Sequence, residues 1–326
     1  LLVTDNRGNN LVKNYSEFKS YILNSSTPTN KNLLKRLFSY FLIIYSIVKS
    51  IIIIRKEKPD LIFGCGGYVS FPISFASRFF NLPLIIYENN MILGRANKHL
   101  SSFSKKILLA RKITKNFPEK YISKTYEVGS ILNKDIINFS NDNNFRDEKK
   151  FSILVLGGSQ GAKIFGKVIP ETIKMIKDKG YEIQINQQCI AEQKNSIIDF
   201  YKKNNIKNYV FEFDSNILKL VLSTNLAIAR CGASTTSELV HSHTPFIAVP
   251  LPNSIDNHQY LNAKYYENKG CCMLLEQHNL DTINLFNLII ETIKNKNKLE
   301  IIKENMKKSC DKNVYTNIEN KIKEFI

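Results

Sequence analysis

Short apolar runs alternate with longer, partly polar stretches along most of the chain, and Gly, Pro or Asn bounds most of the runs. Such runs, rich in Ile, Leu and Val, are typical of strands buried on both faces. The stretches between them are long enough for crossover helices, so the pattern predicts an α/β fold with parallel sheets. The predicted strands form two series, 1–4, 61–63, 84–87, 107–109 and 126–128, then 151–156, 182–186, 210–213, 226–229, 246–249 and 272–275.

Two series of strands predict two doubly wound domains. The polar stretch "NFSNDNNFRDEKK", residues 138–150, is rich in Asn and charge and is the predicted linker. We therefore expect an N-terminal domain over 1–137 and a C-terminal domain over 151–326. The chain begins without Met in what looks like a second strand, so we expect the first strand and helix of the N-terminal domain to be missing.

One predicted helix, within residues 33–60, is unusually apolar. Its middle, 37–54, carries Lys49 as its only charge, and Lys35 and Arg36 lie near its start. The favoured interpretation is a crossover helix that packs on the sheet and is stopped by Pro59. The alternative keeps one face against an anionic bilayer, because basic ends beside an apolar stretch suit a membrane surface. In that case we expect Lys35, Arg36 and Lys49 to belong to the docking patch.

Composition narrows the choice of partners. The chain has 326 residues, is 43% hydrophobic and carries a formal net charge of +17, which favours an anionic partner. The chain is generally rich in Lys, Asn and Ile, and the lysines of this compositional bias account for part of the charge. No nucleic-acid-binding motif is present, so nucleic acid is not predicted as a partner. The six cysteines are scattered without a C-x-x-C pair, which predicts reduced thiols and no metal site.

Two glycine-rich turns follow predicted strands. In "SILVLGGSQGAK" the strand ends in Gly157-Gly158, and in "LIFGCGGYVSFP" it ends near Gly66 and Gly67. Glycine lets the backbone approach an anion, and the helix that follows directs free N–H groups at it. A purely structural tight turn remains the alternative for the second of these.

Three polar stretches follow other strands of the prediction. They are "YENN", where Asn90 lies after a strand, "CGASTTSE", which ends at Glu238, and "DNHQYLNA". In the second, Thr235 and Glu238 have the spacing of a helix-capping box, which competes with a role in binding ribose hydroxyls. In the third, amide and imidazole groups suit neutral hydrogen bonds to sugar hydroxyls.

Taken in order, "GCGGYVS", "YENN", "GGSQGAK", "CGASTTSE" and "DNHQYLNA" resemble the MurG family, the N-acetylglucosamine transferases of bacterial cell-wall synthesis. The resemblance spans nearly the whole chain and implies a GT-B fold, two Rossmann-like domains with the active site in the cleft between them. It implies inverting transfer of GlcNAc from UDP-GlcNAc to the muramyl 4-hydroxyl of a lipid-linked muramyl-pentapeptide, without a cofactor or metal. It also implies a peripheral enzyme on the cytoplasmic face of the inner membrane.

The resemblance also implies roles for individual residues. Ser159 would lie by the diphosphate or sugar, the backbone near Asp214 by uracil, and Gly66 and Gly67 on the acceptor side. Glu238 would bind the ribose hydroxyls. The full set of substrate-binding residues that it implies is Asn90, Ser159, Asp214, Ala233, Ser234, Thr235, Thr236, Ser237, Glu238, His258 and Gln259.

The chain departs from the family pattern in two places. The family begins with a GGTGGH-type loop whose His is the proposed general base, and the chain has no matching His. The family commonly carries Arg at the interdomain strand, where this chain has Asn133 followed by Lys134 in "VGSILNKD". Lys134 would supply a charge but no bidentate fork.

Three alternatives remain open on the sequence. The first is another UDP-sugar glycolipid transferase, and the second is a non-catalytic UDP-sugar-binding protein. The third is a nicotinamide-dependent oxidoreductase, which the absence of G-x-G-x-x-G with a distal acidic residue disfavours.

Overall fold

The structure is a computed structural model that describes residues 1–12, 17–24, 26, 32–112, 117–137, 150–158 and 162–326. The chain folds into two compact units. The first unit comprises Leu1–Ser130 together with Asn313–Ile326, and the second comprises Ile131–Lys312. The predicted linker falls almost entirely outside the described residues, so its bounds stay a prediction.

The strands of the first unit form two parallel sheets. A pair, β1 and β2, stands beside a four-stranded sheet in the order β3-β4-β5-β6. The bounds are β1 Leu2–Thr4, β2 Ser20–Ile22, β3 Ile62–Gly64, β4 Leu84–Glu88, β5 Lys106–Leu109 and β6 Thr125–Glu127.

The second unit has one six-stranded sheet, parallel throughout, in the order β12-β11-β10-β7-β8-β9. Its strands are β7 Phe151–Leu156, β8 Ile183–Gln188, β9 Lys207–Phe211, β10 Leu226–Ala229, β11 Phe246–Ala248 and β12 Met273–Leu274. From β7 the chain adds β8 and β9 on one side, and it then returns to add β10, β11 and β12 on the other side. The switch point between β7 and β10 is where open α/β sheets bind ligands.

Helices connect the strands of both units. They are α1 Asn6–Val12, α2 Leu33–Glu57, α3 Gly67–Ala76, α4 Arg95–Leu100, α5 Lys134–Ile137, α6 Lys163–Asp178, α7 Ala191–Lys203, α8 Ile217–Leu222, α9 Ala233–His241, α10 His258–Asn268, α11 Thr282–Lys294, α12 Lys296–Ser309 and α13 Val314–Lys323. All eleven predicted strands overlap observed ones, and only the short strand β2 was not predicted.

Strand β7 shows why an uninterrupted apolar run forms a central strand. Successive side chains point to opposite faces of a sheet. Ile153 and Val155 enter the core formed with α6, α7 and α11. Leu154 and Leu156 enter the core formed with α9, α10 and α12. Because helices cover both faces, every position of the strand is apolar except Ser152 near its start.

Helix α2 has an inverted pattern of burial. Its 25 residues make it long and apolar enough to cross a membrane by length and composition alone, and only 28% of its most apolar window is buried. The side that packs on the first unit presents Ser39, Ser46 and Ser50, and the Ser46 hydroxyl donates to the carbonyl of Asn24 at 2.8 Å. The helix begins at the N-cap Asn32 and stops at Lys58 in a left-handed conformation. Of its apolar side chains, Ile53 and Ile54 are buried near its end, whereas most of the large ones before them, such as Phe38, Phe41 and Ile44, are exposed.

The C-terminal helix α13 packs with the first unit rather than with the second, in which the predicted domain bounds include it. Lys106 on β5 is buried and forms an ion pair with Glu324, just after α13. The Lys106 ammonium also lies 5.2 Å from the ring centroid of Tyr126 and 5.1 Å from that of Phe325. A buried ammonium needs such partners, so α13 is fastened to the first unit.

We expect Ile173→Ala to destabilise the protein by about 3 kcal/mol, because it opens a cavity in the core of the second unit. Ile173 is fully buried on α6. The control is Glu171→Ala, at an exposed position of the same helix, which should change the free energy of unfolding by less than about 0.5 kcal/mol. Urea denaturation followed by circular dichroism measures both, and equal effects would contradict the assigned core.

Candidate functional site

The predicted ligand motifs of the second unit converge on one edge of its sheet. Strands β7, β10, β11 and β12 are neighbours and run parallel, so their carboxyl ends meet at the same edge. The turn at Gly157, the stretch 231–238 and the stretch 249–263 follow β7, β10 and β11 respectively. The sheet therefore brings together three stretches that are far apart in sequence.

The turn after β7 is glycine for a steric reason. Gly158 has φ +79°, a backbone conformation that residues other than glycine rarely adopt. A Cβ on Gly158 would lie 3.8 Å from the Cβ of Arg230, which follows β10. Ser159, the hydroxyl predicted to lie by the diphosphate or sugar, falls outside the described residues, so its role stays a prediction.

Helix α9 begins without a side-chain cap. Its N-cap is Gly232, so Thr235 lies inside the first turn and forms no capping box with Glu238. The N–H groups of an uncapped first turn are available to an anion. The predicted residues Ala233, Ser234 and Thr235 lie in this turn.

The other predicted hydroxyls of α9 face the protein. Thr236 is fully buried and donates to the carbonyls of Gly232 and Ala233, both at 3.1 Å. Ser237 is buried and lies 3.1 Å from the Tyr266 hydroxyl. Their side chains thus support the helix, and the Thr236 N–H is also used, because it donates to the Gly232 carbonyl at 3.0 Å.

Glu238 is half-buried, and its carboxylate forms no hydrogen bond or ion pair with any residue that the structure describes. Burial raises the pKa of Glu238 above its ordinary value. One helical turn earlier, the exposed Ser234 lies on the same face of α9. The arrangement presents an acceptor of two hydrogen bonds that the protein does not use.

Gln259 joins two of the loops through its side-chain oxygen. Its Oε1 accepts from the backbone N–H of Cys231 at 3.1 Å and from that of Leu251 at 3.0 Å. Because the oxygen is committed, the carboxamide can only present its Nε2 donors outward, and no described residue accepts from them. Asn262 donates to the Cys231 carbonyl at 3.0 Å, so both polar groups of this backbone unit are held by α10.

His258 stands beside Gln259 at the start of α10. Its Nδ1 lies 2.7 Å from the Ile255 carbonyl, and since a carbonyl only accepts, this contact assigns a proton to Nδ1. In the neutral ring, Nε2 is then an acceptor. A cavity of ≈ 260 Å³ lies at the start of α10 and is lined by Pro250, Asn257, Gln277 and others.

Two other predicted contacts serve local structure. Asp214 accepts from the Asn216 N–H at 2.7 Å and from the Tyr209 hydroxyl at 3.1 Å, which caps the turn after β9. Asn133 accepts from the Asp135 N–H at 2.9 Å and starts the short helix α5. Lys134 is exposed on that helix. Ligand roles for these side chains stay predictions.

In the first unit, Asn90 is oriented by the carboxylate of Glu88, the glutamate of the "YENN" stretch. Glu88 is 5% exposed, and its Oε1 accepts from the Asn90 N–H at 3.1 Å and from its Nδ2 at 2.9 Å. Oε2 accepts from the Gly94 N–H and the Asn97 amide. Gly66 and Gly67 have φ of +79° and +73° and open α3 without a side-chain cap.

Sequence reasoning also missed Arg230, which lies at the carboxyl end of β10. Its signal is a charged residue directly after a strand in "IARCG", beside the predicted α9 motif. No group of three or more His, Cys, Asp or Glu side chains among the described residues is placed to hold a metal ion. The arrangement thus combines an uncapped helix start, a carboxylate and amide donors, which suits a sugar nucleotide.

Comparison with known proteins gives the family. Residues 1–109 match the glycosyltransferase family 28 N-terminal domain and residues 152–322 match the C-terminal domain. A relative from Pelagibacter ubique is 36% identical over 98% of this chain and 89% of its own length. One from Rickettsia canadensis is 38% identical over 81% of this chain and 75% of its own. Both are named UDP-N-acetylglucosamine–N-acetylmuramyl-(pentapeptide) pyrophosphoryl-undecaprenol N-acetylglucosamine transferase.

A crystal structure of Acinetobacter baumannii MurG superposes with a TM-score of 0.77 at 24% identity, covering 99% of this chain and 90% of that one. This likeness concerns the fold, and it confirms the predicted GT-B class with two Rossmann-like units. The chain therefore belongs to glycosyltransferase family 28 and, within it, to the MurG family of N-acetylglucosamine transferases.

Proposed function

We propose that the chain transfers GlcNAc from UDP-GlcNAc to the muramyl 4-hydroxyl of a lipid-linked muramyl-pentapeptide, a step of peptidoglycan synthesis. The relatives that carry this name cover nearly the whole chain, which supports the reaction. The single structural observation that carries the donor half is Glu238, a half-buried carboxylate without a partner among the described residues. A ribose diol would supply the two donors that it needs.

The remaining donor contacts follow from the groups that the protein leaves available. The first-turn N–H groups of α9 at Ala233 and Thr235 would receive the diphosphate, and the contact of Ser234 stays a prediction. The Nε2 of Gln259 would donate to a sugar hydroxyl, because its Oε1 already accepts two backbone N–H groups. His258 would add an acceptor beside it. Contacts from Ser159, Asp214 and Asn90 stay predictions.

The proposed reaction is a nucleophilic displacement at C1 of the transferred sugar. The acceptor 4-oxygen forms a bond to C1 from one face, and the bond from C1 to the phosphate oxygen breaks on the other, which inverts the configuration. The electron pair leaves with UDP, and the proton of the acceptor hydroxyl passes to water, since no described residue is assigned as the base. Negative charge therefore grows on the diphosphate, where helix N–H groups stabilise it more strongly than in the ground state.

We further propose that α2 docks the enzyme on an anionic membrane surface. The helix exposes large apolar side chains such as Phe38, Phe41 and Ile44 while it buries serines. A soluble helix has the opposite pattern, so this face is suited to lipid. Lys35 and Arg36 are exposed near its start, where they would meet anionic headgroups. Lys49 instead donates to the Ile22 carbonyl at 2.9 Å and is not part of the proposed patch.

Titration calorimetry with UDP-GlcNAc tests the donor site. We expect binding by the unaltered chain, and Glu238→Gln should weaken it at least about tenfold, since charged hydrogen bonds contribute about 1.5–3 kcal/mol. Glu171→Gln, which changes an exposed carboxylate of α6 outside the predicted site, is the matched control and should change the affinity much less. A folded chain that does not bind UDP-GlcNAc would overturn the proposed function.

The same carboxylate predicts a pH dependence. Because burial raises its pKa, Glu238 takes up a proton at a higher pH than an exposed glutamate does. UDP-GlcNAc affinity should fall as the pH drops through this range, and Glu238→Gln should lack that component. A raised folded-state pKa also disfavours folding at neutral pH. Glu238→Gln should therefore melt slightly higher at pH 7, with the difference vanishing in acid. Identical pH profiles would contradict the assignment.

Flotation with vesicles of mixed neutral and anionic lipid tests the docking face. Ile44→Asp places a charge on the apolar face of α2, where the isoleucine is 62% exposed, and should reduce vesicle binding strongly. Ile301→Asp, at a 54% exposed position of α12, is the matched control and should bind like the unaltered chain. If both variants float equally well, α2 is not the docking face.

A further inference from the structure

We propose that Arg230 is the fixed positive charge that receives the diphosphate of the donor, and that no carboxylate among the described residues neutralises this charge. The inference rests on the proposed function, since it names a further binding residue for the same UDP-sugar. It is carried by the burial and contacts of Arg230 and by its position between two elements of the sheet edge.

The guanidinium is held rigidly. Arg230 is 6% exposed, and its Nη1 donates to the carbonyls of Val249 at 3.1 Å and Pro250 at 3.2 Å. Its Nη2 donates to Oε1 of Gln277 at 2.5 Å, and the group lies 4.8 Å from the ring centroid of Phe165. Three neutral acceptors and an aromatic ring thus fix the position of the charge in advance.

The Arg230 charge has no counter-ion among the Asp and Glu residues that the structure describes, and its acceptors are carbonyl and amide oxygens. A guanidinium has five N–H groups, and no described residue accepts from the Nε–H. Burial of an unpaired charge is costly, and it lowers the pKa of Arg230. Binding of an anion at Arg230 would offset this cost.

The charge also lies where the anion is expected. The Arg230 N–H donates to the Leu156 carbonyl at 2.9 Å, directly before the Gly157–Gly158 turn. Phe165, under the guanidinium, belongs to the first turn of α6, whose N-cap Ala162 supplies no side-chain cap. A helix start carries partial positive charge. Two positive elements therefore lie side by side, and a bound diphosphate would relieve the repulsion between them.

Calorimetric titration of the full chain with UDP and with uridine separates charge from general structure. Uridine offers the base and ribose without the diphosphate. Arg230→Met, which keeps an unbranched side chain without the charge, should weaken UDP binding about 10-fold to 100-fold. Uridine affinity should stay within about twofold. Arg230→Lys keeps a charge without the bidentate fork. Its affinity for UDP should therefore lie between that of the unaltered chain and that of Arg230→Met.

The matched control is Gln277→Leu, which removes one acceptor of Arg230 and leaves the charge, so UDP affinity should change less than in Arg230→Met. If Arg230→Met does not fold, the salt dependence of UDP affinity is compared between the unaltered chain and Arg230→Lys. A fixed protein charge against the diphosphate makes the affinity fall as the salt concentration rises. Equal loss of UDP and uridine, or UDP binding that neither the substitutions nor salt affects, overturns the inference. Failure of the unaltered chain to bind UDP-GlcNAc instead overturns the proposed function.

Discussion

The donor side of this protein depends on how the backbone of Cys231 is held. Gln259 accepts from its N–H, Asn262 donates to its carbonyl, and the neighbouring Arg230 donates to the loop that follows β11. These bonds set where α9 starts, because Gly232 and Ala233 follow at once. They also commit the oxygen of Gln259, which determines that its amide offers donors to a ligand. One backbone position thus coordinates the diphosphate, ribose and sugar contacts that we propose.

Most of the fold could be predicted from the sequence, because buried strands of parallel sheets read as apolar runs between Gly, Pro and Asn. The short strand β2 was missed because only two of its three side chains are partly buried, so it lacks the apolar pattern. The helix around 37–54 was predicted, but its orientation was not. Serine is neutral in a hydropathy pattern, and only the packed structure reveals that Ser46 and Ser50 face inward while Phe41 and Ile44 face outward.

The site was predictable in its loops and less so in its side chains. The motifs identified which strand ends carry polar groups, and the sheet order brings three of them together. The capping box at Thr235 and Glu238 does not form because the N-cap is Gly232, three residues earlier than that spacing requires. Thr236 and Ser237 face the protein, which a linear motif does not specify. Arg230 was missed because its role arises from tertiary contacts, and the motif did not specify that Glu88 orients Asn90.

The return of α13 to the first unit has a consequence for how this protein can be divided. The chain passes between the units after Ser130 and again after Lys312. A single cut at 138–150 would remove α13 from the unit on which it packs and leave Lys106 buried without Glu324. Exchanging halves between relatives therefore requires two junctions rather than one. The last helix is therefore structurally part of the first unit although it follows the second unit in the sequence.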